Sequence, residues 1–118
     1  MAERLSYVHG AADVPLLGET VGAHFARSAA RWPDRTALVV REQGIRWSYA
    51  ELDARIDAFA AGLLALGLQP GDRVGMLGMN SDHCVVFFHA VWWAGGVVNP
   101  VNLRWSAAEI AYSLDDCD

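Results

Sequence analysis

The sequence predicts an α/β fold, with a strand hairpin, a parallel βαβ unit and flanking helices, and three observations carry that prediction. Large apolar residues recur at helical steps between 52 and 66, and two β-branched or alternating runs face each other across a short polar link at 41–44. From 73 to 101 a strand-like run, a helix-like run and a second strand-like run follow in series, which is the pattern of a right-handed parallel βαβ unit.

Residues 1–19 mix polar residues with Gly10, Pro15 and Gly18 and show no sustained period, so they read as a lead-in arm ahead of one unit over 20–118. Thr20 is an N-cap candidate for a helix through Arg31, with Val21, Phe25 and Ala29 on one face, Arg27 and Arg31 on the other, and Trp32-Pro33 as the stop. "TALVV" at 36–40 and "IRWSY" at 45–49 then predict a hairpin.

Ser48 and Glu51 have the spacing of a capping box, so a helix starts there. Leu52, Ile56, Phe59, Leu63 and Leu66 form its expected apolar stripe, Asp53, Arg55 and Asp57 its expected wet face, and Glu51 and Arg55 a favourable pair four apart. Gly67 suits the left-handed position that closes a helix, and Gln69-Pro70-Gly71-Asp72 suits a turn.

"RVGMLG" at 73–78 is apolar on both faces, which predicts a covered central strand. Asn80 or Ser81 caps the next helix, apolar all round and so expected to be buried, up to Gly95-Gly96; "VVNPV" at 97–101 is the returning strand. Ser106 and Glu109 form a second capping box, opening a helix with Ile110 and Leu114 inward. Its end carries Asp115, Asp116 and Asp118, unfavourable at the negative end of a helix dipole, and no further strand follows; both features predict an incomplete α/β unit.

Composition narrows the function. The chain has 118 residues, 53% of them hydrophobic, and a net charge of −5, so it has apolar content for one packed core. Scattered arginines on an acidic chain exclude the clustered positive footprint of a nucleic-acid surface. All nine basic residues are arginine, so the lysine of a Walker phosphate loop and any Schiff-base lysine are excluded. Cys84 and Cys117 have neither zinc-type spacing nor a disulfide framework. Glu3, Asp13 and Glu19 interrupt the opening residues, and the apolar run from Cys84 to Val98 falls short of the about 20 residues that span a bilayer, so no signal peptide or transmembrane segment is expected and the location is expected to be cytoplasmic.

Several residue groups invite a chemical reading. Gly75 and Gly78 lie near a strand-to-helix turn, but a dinucleotide fingerprint needs three glycines within the turn, so they read as a strand glycine and a turn glycine. His83 and His89 fall on different helix faces, which makes a metal shared with Cys84 awkward. Asp82 and His83, as helix neighbours, are not expected to face each other, and Ser81 reads as an N-cap before a nucleophile. Trp92-Trp93 reads as core filling before a stacking platform. Asn99, Asn102 and Arg104 cluster just after a strand end, where open α/β sheets place ligand crevices, and are the candidate site; a hydrogen-bonded turn is the plainer alternative.

"YAEL" at 49–52, "GLQPGDRV" at 67–74 and "GGVVNPVNLR" at 95–104, in this order, resemble the N-terminal region of AMP-forming acyl-CoA synthetases of the adenylate-forming superfamily. The resemblance runs from about residue 20 to the end, and the Asn-Pro-Val-Asn form is similar to fatty-acid or related carboxylate–CoA ligases; Met79 departs from the proline common before Asn-Ser. It implies a partial AMP-binding domain that stops before the phosphate loop, from a parent enzyme using ATP, Mg²⁺ and coenzyme A to convert a carboxylic acid to its acyl-CoA through an acyl-adenylate. It transfers no catalytic, cofactor or metal residue to any position here. The chain alone is expected to be inactive and, with apolar faces uncovered, to self-associate. The rival reading is a stand-alone, non-catalytic interaction module on the same scaffold.

Overall fold

The computed structural model describes residues 10–11 and 13–117; Glu3, Asp118 and most of the lead-in arm therefore lie outside the described residues. Helix α1 (Val21–Arg31) is capped by the Thr20 hydroxyl, which accepts from the amide of Ala23 at 3.2 Å. Its inward face is Gly22, Phe25 and Ala29; Val21, expected inside, is 52% exposed. On the outer face Glu19 pairs with Arg27 and with His24.

Strands β1 (Thr36–Val40) and β2 (Ile45–Ser48) form the expected antiparallel hairpin, with Leu38 opposite Trp47 and Val40 opposite Ile45. Tyr49 belongs to the next helix rather than to the strand. That helix, α2 (Tyr49–Ala65), opens on a complete capping box: the Ser48 hydroxyl accepts from the Glu51 amide at 3.2 Å, and the Ser48 amide donates to the Glu51 carboxylate at 2.8 Å. Those bonds hold the Glu51 carboxyl below its ordinary range.

The buried stripe of α2 is Leu52, Ile56 and Ala60, with Leu63 half-buried, so the expected stripe is corrected at two places. Phe59 and Leu66 are 40% and 88% exposed. Ala60 takes the inward place instead, joining Val86 and Ala90 of α3 in one cluster with Leu52 and Ile56. Ala37, Leu38 and Trp47 of the hairpin and Phe25 of α1 close it from two sides. Asp53 likewise departs from the wet face: it is partly covered beside Phe25, His89 and Trp93, and desolvation, with Asp57 adding repulsion, pushes its carboxyl up.

Helix α2 ends in a double hydrogen-bond lock, Leu68 N–H to the Leu63 carbonyl and Gly67 N–H to the Leu64 carbonyl, with Gly67 at φ 98°. Helix α3 (Asp82–Trp93) ends identically, through Gly96 to Val91 and Gly95 to Trp92 with Gly95 at φ 88°. A side chain at either left-handed position is disfavoured, so these glycines stop the helices where the chain must turn.

Strands β3 (Arg73–Met76) and β4 (Val97–Pro100) pair in parallel, with Gly75 opposite Asn99, and α3 connects them, so the βαβ unit is as expected though each strand is shorter. Among the described residues each sheet has two strands, and β3 is half-buried at Val74 and Met76 rather than covered on both faces. Nor is α3 fully enclosed: Cys84, Val86, Ala90 and Val91 are buried, whereas Trp92 and Trp93 are 39% and 47% exposed. Helix α4 (Ala107–Asp116) opens on the second capping box and lies over β4, with Ile110 half-buried and Leu114 47% exposed. No helix among the described residues is long and apolar enough to cross a membrane.

Candidate functional site

The carboxyl ends of β3 and β4 are joined by the Val101 amide, which donates to the Met76 carbonyl at 2.9 Å. Beside them, between β4 and α4, lies a crevice of about 610 Å³ lined by Asn99, Trp105, Glu109, Tyr112, Ser113 and Cys117, among others. Asn99 is its anchor: its amide donates to the Ser113 carbonyl at 3.2 Å and lies 3.3 Å from the Ser113 hydroxyl and the Cys117 sulfur. The Ser113 hydroxyl in turn donates to Asn99 Oδ1 at 3.3 Å.

The three residues that the sequence places together do not share this crevice. Asn102 Oδ1 accepts from the Arg104 amide at 2.9 Å, and the Asn102 carbonyl accepts from the Trp105 amide at 3.1 Å, so Asn102 shapes the turn into α4. Arg104 is exposed and is not part of the lining. The crevice wall from α4, at Glu109, Ser113 and Cys117, escapes the sequence reading although its step of four puts all three on one helix face. Glu109 is committed to the Ser106 amide and hydroxyl, which hold its carboxyl low.

Elsewhere the polar groups of α3 keep separate company. Cys84 donates to the Met79 carbonyl at 2.9 Å, and His89 Nδ1 donates to the Val85 carbonyl at 3.0 Å while its ring packs edge-on to Phe25. Asp82 and His83 do meet, Oδ1 to Nδ1 at 2.9 Å, contrary to the helix-neighbour expectation. The first turn of a helix leaves its side chains room to bend toward one another, and this hydrogen bond lowers the Asp82 carboxyl. Ser81 occupies the N-cap position without a hydroxyl cap bond. Gly75 is a strand glycine beneath Leu114, and a Cβ at Gly78 would meet Met76, so neither forms part of an open phosphate cradle.

A hairpin leaning on a helical layer, next to a parallel βαβ unit whose strand ends open on a crevice, defines the class: the N-terminal region of an adenylate-forming α/β enzyme. The AMP-binding enzyme family matches residues 25–118, and the chain belongs to that family. Over 110 residues it is 41% identical to the medium-chain acyl-CoA ligase ACSF2, mitochondrial, of Mus musculus, covering 93% of this chain and 18% of that protein. The N-terminal domain of FACL13 from Mycobacterium tuberculosis superposes at a TM-score of 0.81 with 31% identity, over 84% of this chain and 25% of that one. A Mycobacterium tuberculosis fatty acyl CoA synthetase gives 0.80 with 32% identity, over 83% and 20%. The chain thus spans about 18% of the length of the curated relatives of this kind.

Proposed function

We propose that this chain is the opening scaffold of an acyl-CoA ligase that turns ATP and a carboxylic acid into an acyl-adenylate and pyrophosphate, after which coenzyme A displaces AMP. The observation that carries the reading is the 41% identity over 93% of the chain with a medium-chain acyl-CoA ligase. In such a transfer Mg²⁺ would offset the phosphate charge.

The residues present do not fit the nucleotide or the metal by themselves. The chain has no lysine, and among the described residues no set of three His, Cys, Asp or Glu side chains is placed to hold a metal ion. Its own contribution is structural: the two glycine locks set where β3 and β4 begin, and the parallel register of those strands then carries their carboxyl ends to the crevice.

Pyrophosphate exchange over a panel of medium-chain and aromatic acids tests the proposal. The 118-residue chain is expected to give none, and a protein whose reading frame continues to the length of the relatives is expected to turn over. Turnover by the short chain, or an inert long protein, overturns it. The proposal extends to a cytoplasmic location, supported by the acidic residues among the opening nineteen. The mouse relative's name says mitochondrial, so recovery of this protein in a mitochondrial fraction would refute that part.

A further inference from the structure

Away from the β4–α4 crevice, a second cleft of about 450 Å³ opens where β2, α2 and the first turn of α3 meet. Its apolar wall is Ala58, Phe59 and Val86. At its edge the Arg55 guanidinium lies 4.1 Å from the centroid of the Trp47 ring. Stacking uses the flat face of a guanidinium and leaves its N–H edge available, and it lowers the entropy lost when that edge binds a ligand. Among the described residues no oxygen accepts a hydrogen bond from Arg55, and Glu51, the acid one turn before it, is engaged by Ser48.

Glu51 acts on Arg55 only through space, and the other acid at the cleft makes no hydrogen bond to it either. Asp82 is buried, and its Oδ1 takes the Nδ1 of His83, a side chain 83% exposed. That bond sets the imidazole with its Nε2 edge outward, as a second polar group at the rim. The cleft therefore combines a pre-oriented cation, an apolar wall and a paired, occupied carboxylate.

We propose that this cleft binds a small monocarboxylate with an apolar body, the carboxylate forked on Arg55 and the body against Phe59, Ala58 and Val86. Arg55 is the one arginine lining the cleft and its N–H donors have no acceptor among the described residues, whereas Asp82 already accepts from His83, so the free donors select an anion, and the apolar wall selects against a bare phosphate or sulfate. The site is separate from the β4–α4 crevice, and its existence does not depend on the ligase reading.

Phenylacetate is a suitable probe, with neutral phenylacetamide as its isostere, in a nuclear magnetic resonance titration of the ¹⁵N-labelled 118-residue chain without nucleotide. Saturable shifts are expected at the Trp47 indole N–H and the Arg55 side-chain N–H. Arg55→Gln should weaken phenylacetate about tenfold or more, because a charge-assisted fork is lost, with Arg55→Lys falling in between and phenylacetamide binding about as weakly as phenylacetate does to the Gln variant. Arg55 is exposed, and an unchanged far-ultraviolet spectrum of both variants shows that the fold is kept. Equal binding of acid and amide, indifference to Arg55→Gln, no saturable shift, or shifts confined to Trp105 and Tyr112 would each overturn the proposal. Activity is not a readout, so these results stand whatever pyrophosphate exchange shows.

Discussion

Two glycine-to-alanine substitutions in helices should move stability in opposite directions, and helix propensity alone predicts that they move together. Gly22 is buried in the first turn of α1, where a Cβ would stand 2.7 Å from Trp93 Cε3 and 3.4 Å from Trp93 Cα. The approach to the Cα is an ordinary contact, whereas the approach to Cε3 forces either the Trp93 ring or α1 itself out of place. Such overpacking costs about 1–3 kcal/mol, against a propensity gain of up to about 1 kcal/mol for alanine. Gly22→Ala is therefore expected to destabilise by about 1–2 kcal/mol. Gly62, inside α2, has nothing within 4 Å of its would-be Cβ, so Gly62→Ala should stabilise by about 0.5–1 kcal/mol. In urea unfolding followed by helical circular dichroism, a slope of about 1–1.5 kcal/mol/M puts the two midpoints about 1–3 M apart, on either side of the parent. A Gly22→Ala midpoint at or above the parent would refute the tight α1–α3 approach from which the argument starts.

Ser48→Ala removes one half of the α2 capping box and should cost about 1 kcal/mol at neutral pH. Because the folded Glu51 carboxyl is held low, the stability it adds is present above the ordinary carboxylate range and is lost as pH falls through its lowered value, so the deficit of Ser48→Ala should shrink in acid melts. Asp53 has the opposite sign: its folded carboxyl is raised, chiefly by burial and then by Asp57, so its favourable contribution exists in acid and disappears as pH rises through the raised value. Asp53→Asn should therefore raise the melting temperature at neutral pH and leave it unchanged in acid. Leu77, Leu103, Trp105, Tyr112 and Leu114 are all between 38% and 68% exposed, and we propose that the isolated chain self-associates through such surface; a concentration-independent monomer in sedimentation would refute this.

Local hydrogen-bond chemistry is what this sequence displays most clearly. Thr20, Ser48 and Ser106 cap the helices assigned to them, and Gly67 and Gly95 close α2 and α3, because each device is complete within five or six residues and needs nothing from the rest of the chain. Burial is a different kind of information. Counting large apolar side chains puts Phe59 inside, yet Ala60 is the residue that joins Val86 and Ala90 in the buried cluster, and Phe59 is left at the margin, edge-on to Phe87 at 6.1 Å between ring centroids. A hydropathy stripe scores alanine as weak, so the place of Ala60 and Ala90 in the core is visible only once both helices are placed.

The same limit governs the candidate site. A strand-end rule points to Asn99, Asn102 and Arg104 together; in the structure Asn99 lines the crevice, while the hydrogen bonds of Asn102 and the exposure of Arg104 belong to the turn. The opposite wall comes from Glu109, Ser113 and Cys117, fourteen and more residues along from Asn99 except for Glu109 at ten, and their shared helix face acquires meaning only when α4 folds back over β4. Arg55 and His83 make the argument sharper still. Along the sequence Arg55 is half of an unremarkable pair with Glu51 and His83 is a helix neighbour of Asp82; in space Ser48 has taken Glu51, Asp82 holds His83, and Trp47 holds Arg55 with its donors unspent. A binding site of this sort is made by which partners are already occupied, and occupancy is a property of the fold.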